Sequence, residues 1–217
     1  PVPYGAYLNF PDTAVLSLSP ERFLQVKNRQ VETKPIKGTR SRSPDPIYDK
    51  KLAQELLNSP KDRAENLMIV DLLRNDLGKN CTVGSIRVPA LYNLESFPNI
   101  HHLVSTIKGE LAPGKSSIDL LEGCFPGGSI TGAPKKRAME IIAELEPHKR
   151  GLYCGAIGYI NFNGDMDINI AIRTLTCTAG IVTCSAGGAL VADSQCESEY
   201  QETLIKIEKL LSCLQNP

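Results

Sequence analysis

The chain has 217 residues, 41% hydrophobic and 22% charged, with 24 basic residues balanced by 24 acidic ones. That length can bury a real core, as one large domain or two small ones, and the charge balance excludes a general attraction to nucleic acid or anionic lipid. No apolar run approaches the ~18 residues that a membrane-spanning helix needs. The seven cysteines are scattered without a C-x-x-C pair, which argues against a disulfide framework or structural zinc and fits reduced thiols in a cytoplasm.

Pro1 to Phe10 enters directly into what reads as a strand, with no initiator methionine. Ala14 to Leu18 and Phe23 to Val26 alternate apolar and polar residues, and Lys27-Asn28-Arg29-Gln30 leads into Val31-Glu32-Thr33, so antiparallel strands joined by a short turn are expected. Arg40 to Asp49, with prolines at 44 and 46, reads as a polar loop. Ser59, Pro60 and Asp62 mark a helix start, and that helix runs through Glu65, Leu67, Met68, Leu72 and Leu73 to near Gly78. Leu103 to Ile107 is a strand, and Pro134 to Leu145 a helix that Pro147 ends. Tyr153 to Phe162 and Met166 to Thr178 flank Asn163-Gly164, a strong hairpin signal. Ala179-Gly180 turns into Ile181 to Ser185. A capping box, Ser198 to Gln201, is expected to open a last helix that buries Tyr200, Leu204, Ile207, Leu211 and Leu214. Strand meanders broken by separate helices indicate an α+β fold with an antiparallel sheet.

Several residue groups could carry chemistry, and each also has a plain structural explanation. Glu199 and Glu202 share one side of a helical turn, as a hard divalent cation requires, yet acidic residues near a helix start are also explained by the macrodipole. Gly127-Gly128-Ser129-Ile130-Thr131-Gly132 has phosphate-loop spacing, but Ala133-Pro134 replaces the Gly-Lys ending; what remains is an anion cradle or a tight turn. His101 and His102 are adjacent, so on a strand they point to opposite faces and cannot share a metal. Arg173 could pair bidentately with a carboxylate or simply be exposed. Glu21 and Lys37 would each ordinarily be solvated.

In this order, Pro35-Ile36-Lys37-Gly38-Thr39, the helix carrying Glu65, His101-His102-Leu103-Val104-Ser105, the glycine-rich stretch to Pro134 and Ser198-Glu199-Tyr200-Gln201-Glu202-Thr203 resemble the chorismate-utilising enzymes. That family includes anthranilate synthase component I, aminodeoxychorismate synthase component I and the isochorismate and salicylate synthases. Most members carry alanine in the middle of the Pro-Ile-x-Gly-Thr pentapeptide, and lysine there is similar to the aminodeoxychorismate synthase branch.

The resemblance implies an antiparallel β-sandwich core with flanking helices, and a single chorismate-binding domain over 1–217 that is the C-terminal part of a longer polypeptide. It implies Mg²⁺ held by Glu65 and Glu202 with Glu199 nearby, anchoring the ring carboxylate of chorismate. Tyr153 and Arg173 would hold the substrate's carboxylates, with Gly38, Thr39, Ser129, Gly187 and Gly188 in contact with it; Ala189 stands where a glycine is expected. Lys37 would be the nucleophile, Glu21 the acid for the leaving hydroxyl, and His102 the active-site histidine. A glutaminase subunit would supply ammonia. Anthranilate synthesis and a non-catalytic piece of the domain remain the alternatives.

Overall fold

The computed structural model describes residues 2–192 and 194–215. In chain order the elements are β1 (Tyr4–Asn9), β2 (Thr13–Ser19), β3 (Arg22–Lys27), β4 (Gln30–Thr33), β5 (Ile36–Ser41), α1 (Pro46–Asn58), α2 (Pro60–Gly78), β6 (Arg87–Ser96), β7 (Ile100–Glu110), α3 (Ser117–Cys124), a 3₁₀ turn (Gly128–Ile130), α4 (Lys135–Leu145), β8 (Gly155–Ile160), β9 (Met166–Ala171), β10 (Thr174–Thr178), β11 (Ile181–Cys184) and α5 (Cys196–Gln215). The chain divides into two compact units. The first comprises Pro1–Glu21, His148–Ile157 and Asn169–Pro217, the second Arg22–Pro147 and Gly158–Ile168, so β8 and β9 each contribute residues to both. Antiparallel pairing with separate helices is the expected α+β class.

The second unit is built on β7. One edge of β7 pairs with β6, and the other pairs with β5 and then β4, all antiparallel. The β3–β4 hairpin turns on Asn28 and Arg29, both left-handed at φ 49° and 64°, as a two-residue primed turn requires. Asparagine tolerates that backbone. Arg29 tolerates it less, and is held by its guanidinium, which donates to the carbonyls of Leu111 and Ala112 at 3.0 and 2.8 Å. The apolar residues of α2 (Ile69, Val70, Leu73, Leu77) are buried with Leu103, Val104 and Ile107 of β7, the strand this helix packs against. Ser59 caps α2 by accepting from the amide of Asp62, with Pro60 in the first position.

Two helices and two strands lie where no element is expected. Ser41 ends β5, and the proline-containing stretch does not stay a loop: Asp45 accepts from the Ile47 amide and Pro46 starts α1. A proline that follows a capping aspartate fits a helix start as well as a turn. Helix α3 has its own capping box, Ser116 with Asp119, and the two unexpected strands are β5 and β6.

Beneath α1, Asp49 is buried and accepts from Arg42 Nε at 2.8 Å, from the Ser43 amide at 2.9 Å and from His101 Nε2 at 3.1 Å, while His101 Nδ1 lies 2.7 Å from Ser96 Oγ. An ionised carboxylate only accepts, so Nε2 carries the proton. His101 is thereby committed to structure.

In the first unit, the sheet order is β1-β2-β10-β11. Ala179 and Gly180, at φ 51° and 78°, make the tight β10–β11 turn. The expected single strand Met166–Thr178 is broken: β9 ends at Ala171, and β10 starts at Thr174 after Arg173 takes a left-handed φ of 49°. Alternation runs unbroken through Ile168, Ile170 and Ile172, so the break leaves no trace in the hydrophobic pattern, and Arg173 does not share a strand face with Asn169 and Ala171. Helix α5 begins at Cys196 rather than at a Ser198 cap, with the Glu199 amide already bonded to the Gln195 carbonyl at 3.0 Å. Its apolar stripe is not buried as expected. Leu210 is buried, but Tyr200, Leu204, Leu211 and Leu214 are exposed, because helical spacing shapes a face without supplying what covers it. In the second unit, the Asn163-Gly164 hairpin is present as a longer turn in which Asn161 N–H meets the Asp165 carbonyl and only Gly164 is left-handed.

All seven cysteines are free; burial pushes the Cys81 thiol up to about 11 and the Cys124 thiol up to about 12, values at which a thiol is inert. Among the described residues no helix is long and apolar enough to cross a membrane.

The Arg42 hydrogen bonds, then that of Ser43, hold Asp49 well below the usual carboxylate range. A depressed folded pKa stabilises the fold above the unfolded value of ~3.9 and is lost as pH falls below it. Asp49→Asn should therefore lower stability at pH 7 and flatten the loss of stability between about pH 4 and pH 2, as urea unfolding at stepped pH would report. An unchanged acid slope would dismiss the account.

Candidate active site

Six of the expected site residues fall in the second unit: Lys37, Gly38, Thr39, Glu65, His102 and Ser129. The pentapeptide lies on a strand, not in a loop. Between Ile36, opposite Val104, and Thr39, opposite His102, the two residues Lys37 and Gly38 face only Leu103. That is a β-bulge, and Gly38 at φ 85° supplies its left-handed residue. A bulge re-aims the side chain beside it. Here Lys37 Nζ, half-buried, donates to the main-chain carbonyl of Ser129 at 3.2 Å. One residue past the bulge, Thr39 Oγ1 lies 2.9 Å from Nδ1 of the buried His102, whose ring meets Phe97 edge-on at 5.8 Å. The pentapeptide, the histidine strand and the glycine-rich stretch are thus brought together.

Gly38 is required for more than its φ. A Cβ there would sit 2.9 Å from Leu56 Cδ1 and 2.9 Å from Asp62 Cβ, and Asp62 is itself held by Arg40 at 2.9 Å. In the sequence Asp62 reads only as a helix-start residue. In the glycine-rich stretch Gly128 lies so close to α2 that a Cβ would be 2.7 Å from Leu72 Cδ2. Thr131 Oγ1 donates to the Gly127 carbonyl at 2.9 Å, and the Gly132 amide to the Gly128 carbonyl at 3.1 Å. The stretch folds on itself before α4 starts at Lys135. Glu65 is half-buried on α2, one residue before Asn66, a fully buried side chain whose Nδ2 donates to the Leu103 carbonyl at 3.3 Å and whose Oδ1 accepts from Ser105 Oγ. A lone mid-helix asparagine such as Asn66 carries no signal in the sequence.

The other seven fall in the first unit: Glu21, Tyr153, Arg173, Gly187, Gly188, Glu199 and Glu202. Glu21 is buried; its amide bonds to Ser19 Oγ at 3.2 Å, and its carbonyl accepts from the Ile170 amide at 3.1 Å. Burial draws the Arg173 guanidinium below its ordinary value, while its carbonyl accepts from the Leu18 amide at 3.0 Å. A Cβ on Gly187 would lie 3.0 Å from the Tyr153 hydroxyl, and one on Gly188 3.4 Å from Glu199 Oε2. The paired glycines therefore leave room for the tyrosine hydroxyl and the carboxylate beside the backbone. Glu199 Oε1 accepts from Ser194 Oγ at 2.6 Å. Glu202 is exposed and pairs with Lys206 at 2.7 Å, and Lys206 also donates to the Gly187 carbonyl at 3.2 Å. An open depression of about 510 Å³ is lined by Gly188, Leu190, Val191, Glu199, Tyr200 and others.

Among the described residues no three His, Cys, Asp or Glu side chains gather as a ready metal centre. A magnesium ion needs only one or two carboxylates, taking its other ligands from water and substrate. Glu199 and Glu202 suit it chemically. The Glu202–Lys206 pair is a surface i,i+4 contact worth ~0.3–0.5 kcal/mol, which an incoming cation can displace.

The family model for chorismate binding enzymes matches residues 1–212. The chain belongs to this family. It is 57% identical over 214 residues, 99% of its own length, to aminodeoxychorismate synthase component 1 of Salmonella typhimurium, and 57% identical over 213 residues to the protein of the same name from Escherichia coli K12. It covers 47% of each, so the chain spans about half the length of the curated relatives it matches. Among solved structures, anthranilate synthase component I from Streptococcus pneumoniae superposes with a TM-score of 0.87 at 42% identity, over 95% of this chain and 45% of that one. The chorismate-binding fold is therefore the frame in which both residue groups stand.

Gly38→Ala tests the bulge. The left-handed backbone and the two 2.9 Å contacts should cost more than ~1 kcal/mol of stability in urea unfolding, and Lys37 should lose its contact to Ser129. Parent-like stability would mean that the bulge relaxes freely.

Proposed function

We propose that this chain carries the chemistry of aminodeoxychorismate synthase component 1, converting chorismate and ammonia to 4-amino-4-deoxychorismate and water. The observation that carries the reading is Lys37: the residue that marks this branch of the family sits in a β-bulge with its amine on the glycine-rich stretch. The 57% identity to proteins of that name supports it.

In this reading the neutral amine of Lys37 forms a bond to ring carbon 2 as both conjugated ring double bonds shift and the bond from carbon 4 to its hydroxyl oxygen breaks. Glu21 gives that oxygen a proton, so it leaves as water. The secondary ammonium that results is displaced when ammonia bonds to carbon 4. Lys37 departs as the free amine, the product carries the new ammonium, and Glu21 regains its proton from solvent. Arg173 and Tyr153 hold the carboxylates, with the guanidinium making the planar two-bond contact. Gly38, Thr39, Ser129, Gly187 and Gly188 shape the walls, and His102, fixed at Nδ1 by Thr39, contacts the ring. Glu65 and Glu202, with Glu199, would hold Mg²⁺, whose contribution when bound is to neutralise and fix the ring carboxylate. Ammonia comes from a glutaminase subunit, a partner consistent with the name component 1 of the relatives.

Chorismate without ammonia should leave a covalent adduct on Lys37, since nothing displaces it, and Lys37→Ala should lose that adduct. Intact-mass measurement followed by peptide mapping reads this. An adduct on another lysine removes Lys37 from the nucleophile role, and anthranilate with pyruvate as the parent's products would point to anthranilate synthesis instead.

Glu65→Gln and Glu202→Gln should each abolish the Mg²⁺-dependent part of chorismate binding while leaving circular dichroism unchanged, because each removes one anionic ligand from a hard cation. Calorimetry with and without Mg²⁺ decides; full Mg²⁺ dependence in both variants discards the ligand set.

A further inference from the structure

The ten residues between Cys124 and Lys135 form a loop whose two ends are joined by one ammonium. Lys135 Nζ donates to the Cys124 carbonyl at 2.7 Å and to Asp76 Oδ2 at 2.6 Å. Asp76 lies near the end of α2 and is 2% exposed. Its other oxygen takes Lys79 Nζ at 2.9 Å, and Lys79 also holds the Gly123 carbonyl at 3.1 Å. The neck of the loop is thus fixed to α2 at two successive carbonyls. A lysine in the first turn of a helix opposes the macrodipole, and the first turn of α4 has no acidic residue to offset it. Lys135 serves α4 poorly where it stands. Its contacts serve the loop.

Within that loop the backbone is set by close approach. Gly128 lies against Leu72 of α2, Thr131 bonds to Gly127, and Ser129 offers its carbonyl to Lys37. A buried ion pair contributes little net stability but can specify one arrangement, and the arrangement specified here is the height of the Ser129 carbonyl above the bulge on β5.

We propose that Lys135, anchored on Asp76, is a positioning residue for Lys37: by closing the neck of the glycine-rich loop it holds the Ser129 carbonyl where it orients the nucleophilic amine. This rests on the reading of Lys37 as nucleophile, and the test separates the two. In the 217-residue chain, the parent, Lys135→Met, Lys135→Arg and Asp76→Asn are compared in two assays. The first measures chorismate affinity and the rate of adduct formation on Lys37. The second measures acylation of Lys37 by acetic anhydride relative to the exposed Lys50 and Lys115, without chorismate.

Lys135→Met should slow the adduct by about 10- to 100-fold, the scale of a reacting group displaced by ~1 Å, with affinity held within about twofold. Its Lys37 should acylate several-fold faster against the two control lysines, while Lys135→Arg, which keeps the charge and two donors, stays near the parent. A parent that forms no adduct defeats the functional reading, and the acylation ratio then decides the positioning role alone. An unchanged ratio in folded Lys135→Met overturns the proposal. Should circular dichroism show Lys135→Met unfolded, Asp76→Asn carries the same comparison, and loss of fold in both variants assigns the pair to stability and overturns it too.

Discussion

Strand β7 sets the geometry of the second unit, because all but its ends are covered by other elements. Its two edges are occupied by β6 on one side and by β5 and β4 on the other, and α2 packs across it. A strand so enclosed cannot slip by one residue without carrying every side chain to the opposite face of the sheet. The register therefore fixes which histidine goes where. His101 joins Asp49 and Ser96; His102 joins Thr39. One extra residue in β5 opposite Leu103 then aims Lys37 away from the ladder. The candidate chemistry of this unit follows from a pairing constraint before any ligand is considered.

Two buried aspartates illustrate how the unit handles charge. Neither Asp49 nor Asp76 is left with a single partner. Asp49 takes a guanidinium, an amide and an imidazole; Asp76 takes two ammoniums. A buried carboxylate is tolerated only when several donors compensate its lost hydration, and such multiplicity makes each a point of attachment for more than one segment. Asp49 joins the start of α1 to β7. Asp76 joins α2 to the end of α3 and the start of α4.

Much of this was readable in the residues. The α2 start is written in Ser59-Pro60, the β3–β4 turn in Asn28 and the β10–β11 turn in Ala179-Gly180, while the motifs supply candidate site residues through their resemblance to a family. The unread parts share a cause, since local sequence reports local preference only. Pro44 and Pro46 look like loop punctuation until Asp45 is seen to cap Ile47. The stripe on α5 has helical spacing, yet burial needs a second surface that spacing cannot report. Lys135 is the clearest case. Beside Lys136 and Arg137 it reads as one more surface cation, and only the fold shows that its amine reaches a carbonyl eleven residues back and an aspartate on another helix.

Arg173 shows the same limit from the other direction. Isoleucines alternate through residue 172, so the pattern predicts a strand that continues, and the backbone instead turns left-handed at a residue with a full side chain. For a non-glycine residue that conformation costs roughly 1–2 kcal/mol. Burial adds a further penalty by disfavouring the charge and draws the guanidinium below its ordinary value. Two separate costs at one position are hard to account for as packing, because an apolar side chain on glycine-like backbone would avoid the second, and glycine would avoid the first. In the proposed reading, a substrate carboxylate would restore to the guanidinium what burial removed. Perturbed charge together with backbone strain is the combination that functional positions tend to carry. Arg173 combines a left-handed backbone with a partly buried guanidinium.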